Sequence, residues 1–155
     1  HMIGPLQRNK AKFAVKIFNM IQSVDRFELG QELDRRLEVL EKSMPILIQV
    51  NTSLEASKAG VNPDQALELV GQLSTLKWLS IKGLMTIPEF KSDPEDSRPA
   101  FRLLREIRDQ ITSAGISGVS MDFLSMGMSH DFEVAIDEGA DMVRVGTAIF
   151  GPRQG

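Results

Sequence analysis

Apolar residues along this chain recur in two alternating rhythms. From Lys10 onward, Phe13, Ala14, Ile17, Phe18 and Ile21 fall at the steps of three and four that give a helix one apolar face, and the run from Met20 to Val24 then reads as a strand. The segment "RFELGQELDRRLEVLEK" sets Leu29, Leu33, Leu37 and Leu40 among charges at the same steps, and "PILIQVN" is an unbroken apolar run, as a strand buried on both faces requires. Asn62, Pro63 and Gln65 form a helix start, with Asn62 as cap, proline in the first turn and Gln65 as capping-box partner, for a helix running to about Leu73. "LSIKGLMTI" predicts the next strand, and the polar "EFKSDPEDSRP" the longest loop. A helix with Phe101, Leu104, Ile107 and Ile111 inward ends near Gly115, and "MDFLS" is a strand. After a run of Ser, Gly and Met comes a short helix aligning Phe132, Ala135, Ile136 and Gly139, then a last strand, "DMVRVGT", with a turn of helix behind it.

Strand and helix alternate throughout, with five strands and a sixth at "MIGPL", so the expected class is α/β: a parallel sheet flanked by helices, in one domain spanning residues 1–155. Two architectures compete. An open doubly wound sheet is complete at this length, whereas a TIM barrel needs eight strands and ~250 residues. The glycines point the other way: the G-x-G-x-x-G turn of a dinucleotide-binding first unit is missing, and the glycine-rich turns follow the last two strands, where barrels hold phosphate.

Composition narrows the function classes. A net charge of −3 and a pI near 5.4 argue against a nucleic-acid partner, and the cations Arg8, Lys10, Lys12 and Lys16 read as a solvated helix face. The absence of cysteine removes disulfides, thiolate nucleophiles and zinc-thiolate sites, and fits a reducing cytoplasm. No apolar run approaches the ~18 residues of a membrane span. His1 and His130 have no acidic partner at ligand or triad spacing, so neither a metal site nor a Ser-His-Asp set is expected. Asp131, Glu133, Asp137 and Glu138 read as the solvated face of the short helix.

The last thirty residues carry the candidate chemistry. Ser129 stands where it would cap the helix beginning near Asp131, presenting a hydroxyl and unpaired amides to an anion such as phosphate; a plain serine cap is the competing reading. In "RVGT", Gly146 permits close backbone approach and Thr147 offers a hydroxyl at a strand terminus. Each turn alone is weak, but turns on the last two strands of one parallel sheet are neighbours in space. Arg144 alternates with Val143 and Val145 and so points into the interior, where it needs a carboxylate, a phosphate or a ring acceptor.

The blocks "HMIGPLQRNK", "SVDR", "ILIQVNTSLEASKAG", "IKGLMTIPEF" and "LSMGMSHDFEVAIDEGADMVRVGTAIFG" resemble, in order, those of the pyridoxal-phosphate homeostasis protein family, which is similar to the barrel domain of bacterial alanine racemase standing alone. The resemblance implies a TIM barrel that binds pyridoxal 5'-phosphate, with phosphate or sulfate able to occupy the same place, in a monomeric cytoplasmic family that carries the cofactor without catalysis. It implies that Ser129, Gly146 and Thr147 hold the phosphate, that Arg144 faces the pyridine nitrogen, that Met85, Ser125 and Met126 line the pocket, and that Asn51 lies at its mouth. In the family, two strand–helix units precede "HMIGPLQ" and the cofactor-linking lysine ends the first strand. This chain carries neither those units nor a "GENYVQE"-like block, and its own lysines, Lys58 and Lys82 included, match no such position. The expectation is a truncated barrel holding strands three to eight, whose open edges favour self-association or the return of the family's N-terminal segment. Two alternatives stay open: a racemase-like enzyme, disfavoured because the chain contains no tyrosine, and a phosphate-binding fragment without activity.

Overall fold

The structure is a computed structural model that describes residues 1–53, 55 and 58–151. Strands β1 (Ile21–Val24), β2 (Met44–Gln49), β3 (Leu79–Met85), β4 (Phe123–Met128) and β5 (Met142–Arg144) form one parallel sheet in the order β1-β2-β3-β4-β5. Helices α1 (Ala11–Ile17), α2 (Phe27–Val39), α3 (Ala66–Leu73), α4 (Arg98–Ala114), α5 (Phe132–Asp137) and α6 (Thr147–Phe150) complete the alternation. Strand order follows chain order, with none of the reversal that defines a doubly wound sheet. Three strand spacings in a flat sheet separate β1 from β4 by about 14 Å. Yet Ser125 Oγ on β4 lies 2.6 Å from Gln22 Oε1 on β1, so the sheet curls into part of a barrel.

Two apolar clusters follow from that curl. The larger lies between the convex face and the helices, where Ile46, Ile48, Leu84 and Leu124 meet Leu33, Leu73, Phe101 and Leu104. The smaller lines the concave face, from Met20, Leu47 and Met85, with Ile87, Phe123 and Met142 against them. Helix α4 buries the four residues its periodicity selects, Phe101, Leu104, Ile107 and Ile111, and Gly115 ends it at φ 61°.

Two glycines reset the strand alternation. Between Ile46↔Ile81 and Leu47↔Gly83 the register admits one extra residue on β3, so Leu79, Ile81 and Leu84 face the helices while Met85 turns into the concave face. A Cβ at Gly83, whose φ is +152°, would stand 1.9 Å from the Phe123 carbonyl oxygen. On β4 a bulge between Ser125 and Met128 brings Met128 level with Arg144. There Gly127 has φ +87°, and a Cβ on it would stand 2.6 Å from the Ala135 Cβ of α5. The small residues of "SMGM" therefore lie within an extended β4, packed closely against the following helix.

Several expectations are corrected. "MIGPL" supplies a single bridge, Met2 to Ile21, in place of a sixth strand, because Pro5 has no N–H to offer and Ile3 turns out to 40% exposure. The strand predicted over "DMVRVGT" contracts to Met142–Arg144. Asn62 makes no capping hydrogen bond; its Nδ2 donates to Gln65 Oε1 at 3.4 Å, and a 3-10 turn precedes α3. Ile136 is 53% exposed, since α5 is too short to bury more than Val134 and Ala135.

Glu138 is not part of a solvated face. Its carboxylate is buried and pairs with Arg98, Arg102 and Arg105 of α4 at 3.1, 3.2 and 3.1 Å, clamping α4 to the end of α5. Burial pushes this carboxyl up, the Arg102 and Arg98 hydrogen bonds pull it down, and the guanidinium groups prevail, so it titrates below the ordinary 4.5.

Gly83→Ala is expected to cost about 3 kcal/mol or more, read as a lower urea midpoint, because the Phe123 backbone cannot yield. Glu138→Gln is expected to cost about 2 kcal/mol at neutral pH, less than the ~3–5 of a fully buried pair, since Arg102 and Arg105 are 53% and 36% exposed. A lowered carboxyl stabilises fully above its unfolded value and loses that contribution as pH falls through the folded one. Stability measured from about pH 6 down to pH 3 should accordingly fall less steeply in Glu138→Gln than in the parent.

Candidate functional site

A cleft of about 630 Å³ runs between the two edge strands of the sheet, bordered by His1, Ile3 and Gln22 on the β1 side and by β5 and the turn after it, to Gly146, on the other. Ser129, in the turn after β4, does not cap α5. Asp131 takes the cap position, and its Oδ1 accepts a hydrogen bond from the Met128 N–H at 2.7 Å. The Ser129 hydroxyl instead reaches the turn after β5, where its Oγ accepts the N–H groups of Gly146 at 3.0 Å and Ala148 at 3.3 Å. The two turns therefore meet through one oxygen towards which two amides converge, a donor arrangement suited to an oxyanion. Thr147 stands exposed between those amides, as the first residue of α6. Among the described residues no atom lies within 4 Å of a Cβ built on Gly146, so the space beside its Cα is open. Helices α5 and α6 have six and four residues, so their dipoles are small and the individual amides supply the attraction.

Arg144 enters the concave face. Its Nη1 donates to Ser125 Oγ at 2.8 Å and its Nη2 to the Thr86 carbonyl at 2.6 Å. Among the described residues no carboxylate forms an ion pair with it, so a salt bridge to a neighbouring strand is not its partner. Burial lowers its pKa to about 10, with the Asp131 carboxylate pulling the other way. The guanidinium is thus a charged, incompletely compensated donor at the edge of the cleft.

A relay of hydrogen bonds fixes that guanidinium. Ser125 Oγ donates to Gln22 Oε1 at 2.6 Å, and Gln22 Nε2 lies 3.0 Å from His1 Nδ1. On the other side, Thr86 Oγ1 donates to the Val50 carbonyl at 2.9 Å and lies 2.8 Å from Thr52 Oγ1. Gln22 and Thr86 were not singled out in the sequence, and Asp131, expected on a solvated face, is buried at 7% exposure because its carboxylate turns back to the Met128 N–H. The available signal was a polar residue inside an apolar strand run, visible for Gln22 in "MIQSV".

Of the other expected residues, Met85 is fully buried on the concave face beside Leu47. Met126 is not on that face. Alternation from Ser125 turns it to the helix side, where it belongs to the larger core. Asn51 is buried just beyond β2, its Nδ2 donating to the Glu55 carbonyl at 2.8 Å across the mouth. His130 turns away, with Nε2 3.2 Å from the Ser92 carbonyl oxygen and its ring 5.0 Å from that of Phe90. Lys82 lies 3.2 Å from Ser120 Oγ and 3.5 Å from Asp122, and no lysine lines the cleft.

Known proteins share this arrangement of chain. The family described as alanine racemase, N-terminal domain, matches residues 1–154. A pyridoxal phosphate homeostasis protein from Aquifex aeolicus is 45% identical over 154 residues, covering 99% of this chain and 67% of the relative. One from Vibrio cholerae is 41% identical over 153 residues, covering 99% of this chain and 64% of the relative. The chain thus spans about two thirds of the length of these curated relatives. The solved structure of PipY from Synechococcus elongatus, with PLP bound, superposes with a TM-score of 0.86 at 34% identity, over 97% of this chain and 69% of that one.

Ser129→Ala should release the Gly146 and Ala148 amides. Loss of a hydrogen bond worth about 1 kcal/mol predicts roughly fivefold faster hydrogen exchange at those two positions, with the amides of β2 unchanged as an internal control.

Proposed function

The chain belongs to the alanine racemase N-terminal domain family, and from that premise we propose that it binds pyridoxal 5'-phosphate as the cofactor-holding part of a non-catalytic carrier in pyridoxal phosphate homeostasis. The observation that carries this reading is the pairing of two converging amides at Ser129 Oγ with the incompletely compensated Arg144 guanidinium nearby. In this reading Ser129, Gly146 and Thr147 hold the phosphate and Arg144 meets the pyridine nitrogen. Ser125 positions Arg144, Met85 supports the ring's surroundings from the concave face, and Met126 acts only from beneath β4.

When bound, pyridoxal phosphate supplies an aldehyde that links to amines and a ring able to withdraw electrons. Arg144 sets how much of the second property is used. With a pKa near 10 it remains protonated at neutral pH and donates a hydrogen bond, which leaves the facing nitrogen without a proton and weakens the ring as an electron sink. Holding the cofactor without spending its reactivity is what a carrier requires.

A racemase also needs an acid–base pair at the cofactor. This chain has no tyrosine and its cleft lining has no lysine, which favours the carrier over a racemase-like enzyme. The reading assigns the protein to the cytoplasm, with which a cysteine-free composition is compatible. Among the described residues no helix is long and apolar enough to cross a membrane.

Calorimetric titration with pyridoxal phosphate should give saturable binding, weakened about tenfold by Arg144→Ala, which removes a charged donor, and less by Ser129→Ala, which removes one hydroxyl and leaves the Gly146 and Ala148 amides in place. Borohydride treatment of the complex should leave no covalent adduct, and L-alanine should keep its optical rotation. Absence of binding would refute the carrier reading for this chain. A reduced adduct at one lysine with loss of rotation would favour the enzyme, and binding of inorganic phosphate alone would favour the inactive fragment.

A further inference from the structure

The first 24 residues hold Arg8, Lys10, Lys12 and Lys16 and no acidic residue, in a chain whose net charge is −3. The fold sets part of this stretch beside α2, and the two helices enclose a groove of about 310 Å³. Apolar atoms are left in water along it: Phe13, Val39 and Leu40 are 52%, 80% and 41% exposed. Lys12 and Lys16, one turn apart on α1, and Arg36 on α2 form its rim. Among the described residues neither lysine has a carboxylate at ion-pair distance, and Glu32, which pairs with Arg36 at 2.7 Å, is shared with Arg35. A solvated helix face would have no need of the exposed apolar side chains between its cations.

We infer that this groove docks an acidic amphipathic helix of a partner protein, whose apolar side chains enter between Phe13, Val39 and Leu40 and whose carboxylates meet Lys12, Lys16 and Arg36. The volume stands at the low end of the ~300–1,000 Å³ of ligand clefts, enough for inserted side chains. The surplus positive rim on a negatively charged protein selects an acidic partner, and the apolar floor selects one with a hydrophobic face. A lipid surface is flat and would rest on the helix ridges without filling the trough. Nucleic acid has no apolar face to offer the floor and is opposed by the net charge. A carrier that passes on its cargo requires contact with the recipient, but the groove stands on its own geometry and not on the cofactor reading.

The test is fluorescence anisotropy of a labelled synthetic helix, with leucines four apart and glutamates between them, titrated with the whole chain in the absence of pyridoxal phosphate. Saturable binding is expected, weakening with added salt and falling about tenfold in the Lys12→Glu/Lys16→Glu double variant. Circular dichroism checks that this variant folds. Val39→Ser, at an 80% exposed position, should weaken binding while leaving its salt dependence unchanged. The same helix with lysines replacing glutamates should not bind. Equal binding of both helices, no saturable binding, or tighter association with phosphatidylcholine–phosphatidylglycerol vesicles than with the acidic helix overturns the inference. So does sedimentation showing that the groove joins two copies of this chain. Because the cofactor is absent from every arm, failure here leaves the cofactor reading untouched.

Discussion

Arg144 carries a positive charge into the concave side of a parallel sheet, and the cost of removing that charge from water shapes the surrounding residues. Its fork takes the Ser125 hydroxyl and the Thr86 carbonyl, which together satisfy part of its donor capacity and leave the rest directed at the cleft. Ser125 can accept from Arg144 because its own proton goes to Gln22, and Thr86 is fixed through Val50 and Thr52. One guanidinium thus ties β5 to β4 and β3, and through Gln22 to β1. The concave face is polar where the strands end and apolar beneath, where Met20, Leu47 and Met85 close the floor.

Such a face requires close control of which side chains point inward, and the two bulges supply it. Continued alternation on β3 would direct Met85 at the helices; the extra residue beside Gly83 turns it inward. On β4 the bulge at Gly127 aligns Met128 with Arg144 and lets α5 approach the strand closely. Each glycine is there for lack of space: against a carbonyl at Gly83, against a helix at Gly127. The Glu138 clamp then fixes the far end of α5 to α4, so the turn holding Ser129 is anchored at both ends by interactions remote from the cleft.

The converging amides and the guanidinium differ in how they are preorganised. Ser129 Oγ now fills the position between the Gly146 and Ala148 amides, so an arriving oxyanion exchanges one acceptor for a better one at little reorganisation. Arg144 is held rigidly and in a partly desolvated state, which strengthens any hydrogen bond it makes to a bound ring. In the proposed reading, retention of the ligand and restraint of its reactivity come from two separate parts of one cleft.

The rhythm of apolar residues alone determined the order of strands and helices, the buried stripe of α4 and the parallel class of the sheet, because those depend on local periodicity. It also placed two turns and one arginine at the ends of the last strands, since neighbouring parallel strands bring their C-terminal turns together. Sequence spacing could not decide the direction of Met126, the partner of Ser129, the burial of Glu138 or the participation of Gln22. Each of these depends on a bulge or on a contact between residues far apart in the chain: 17 positions for Ser129 and Gly146, 103 for Gln22 and Ser125. A local pattern carries no record of the extra residue that reverses a strand's facing, nor of the curl that brings β1 against β4. Those were set only when the backbone met itself, at Phe123 against Gly83 and at α5 against Gly127, where steric exclusion leaves a single arrangement.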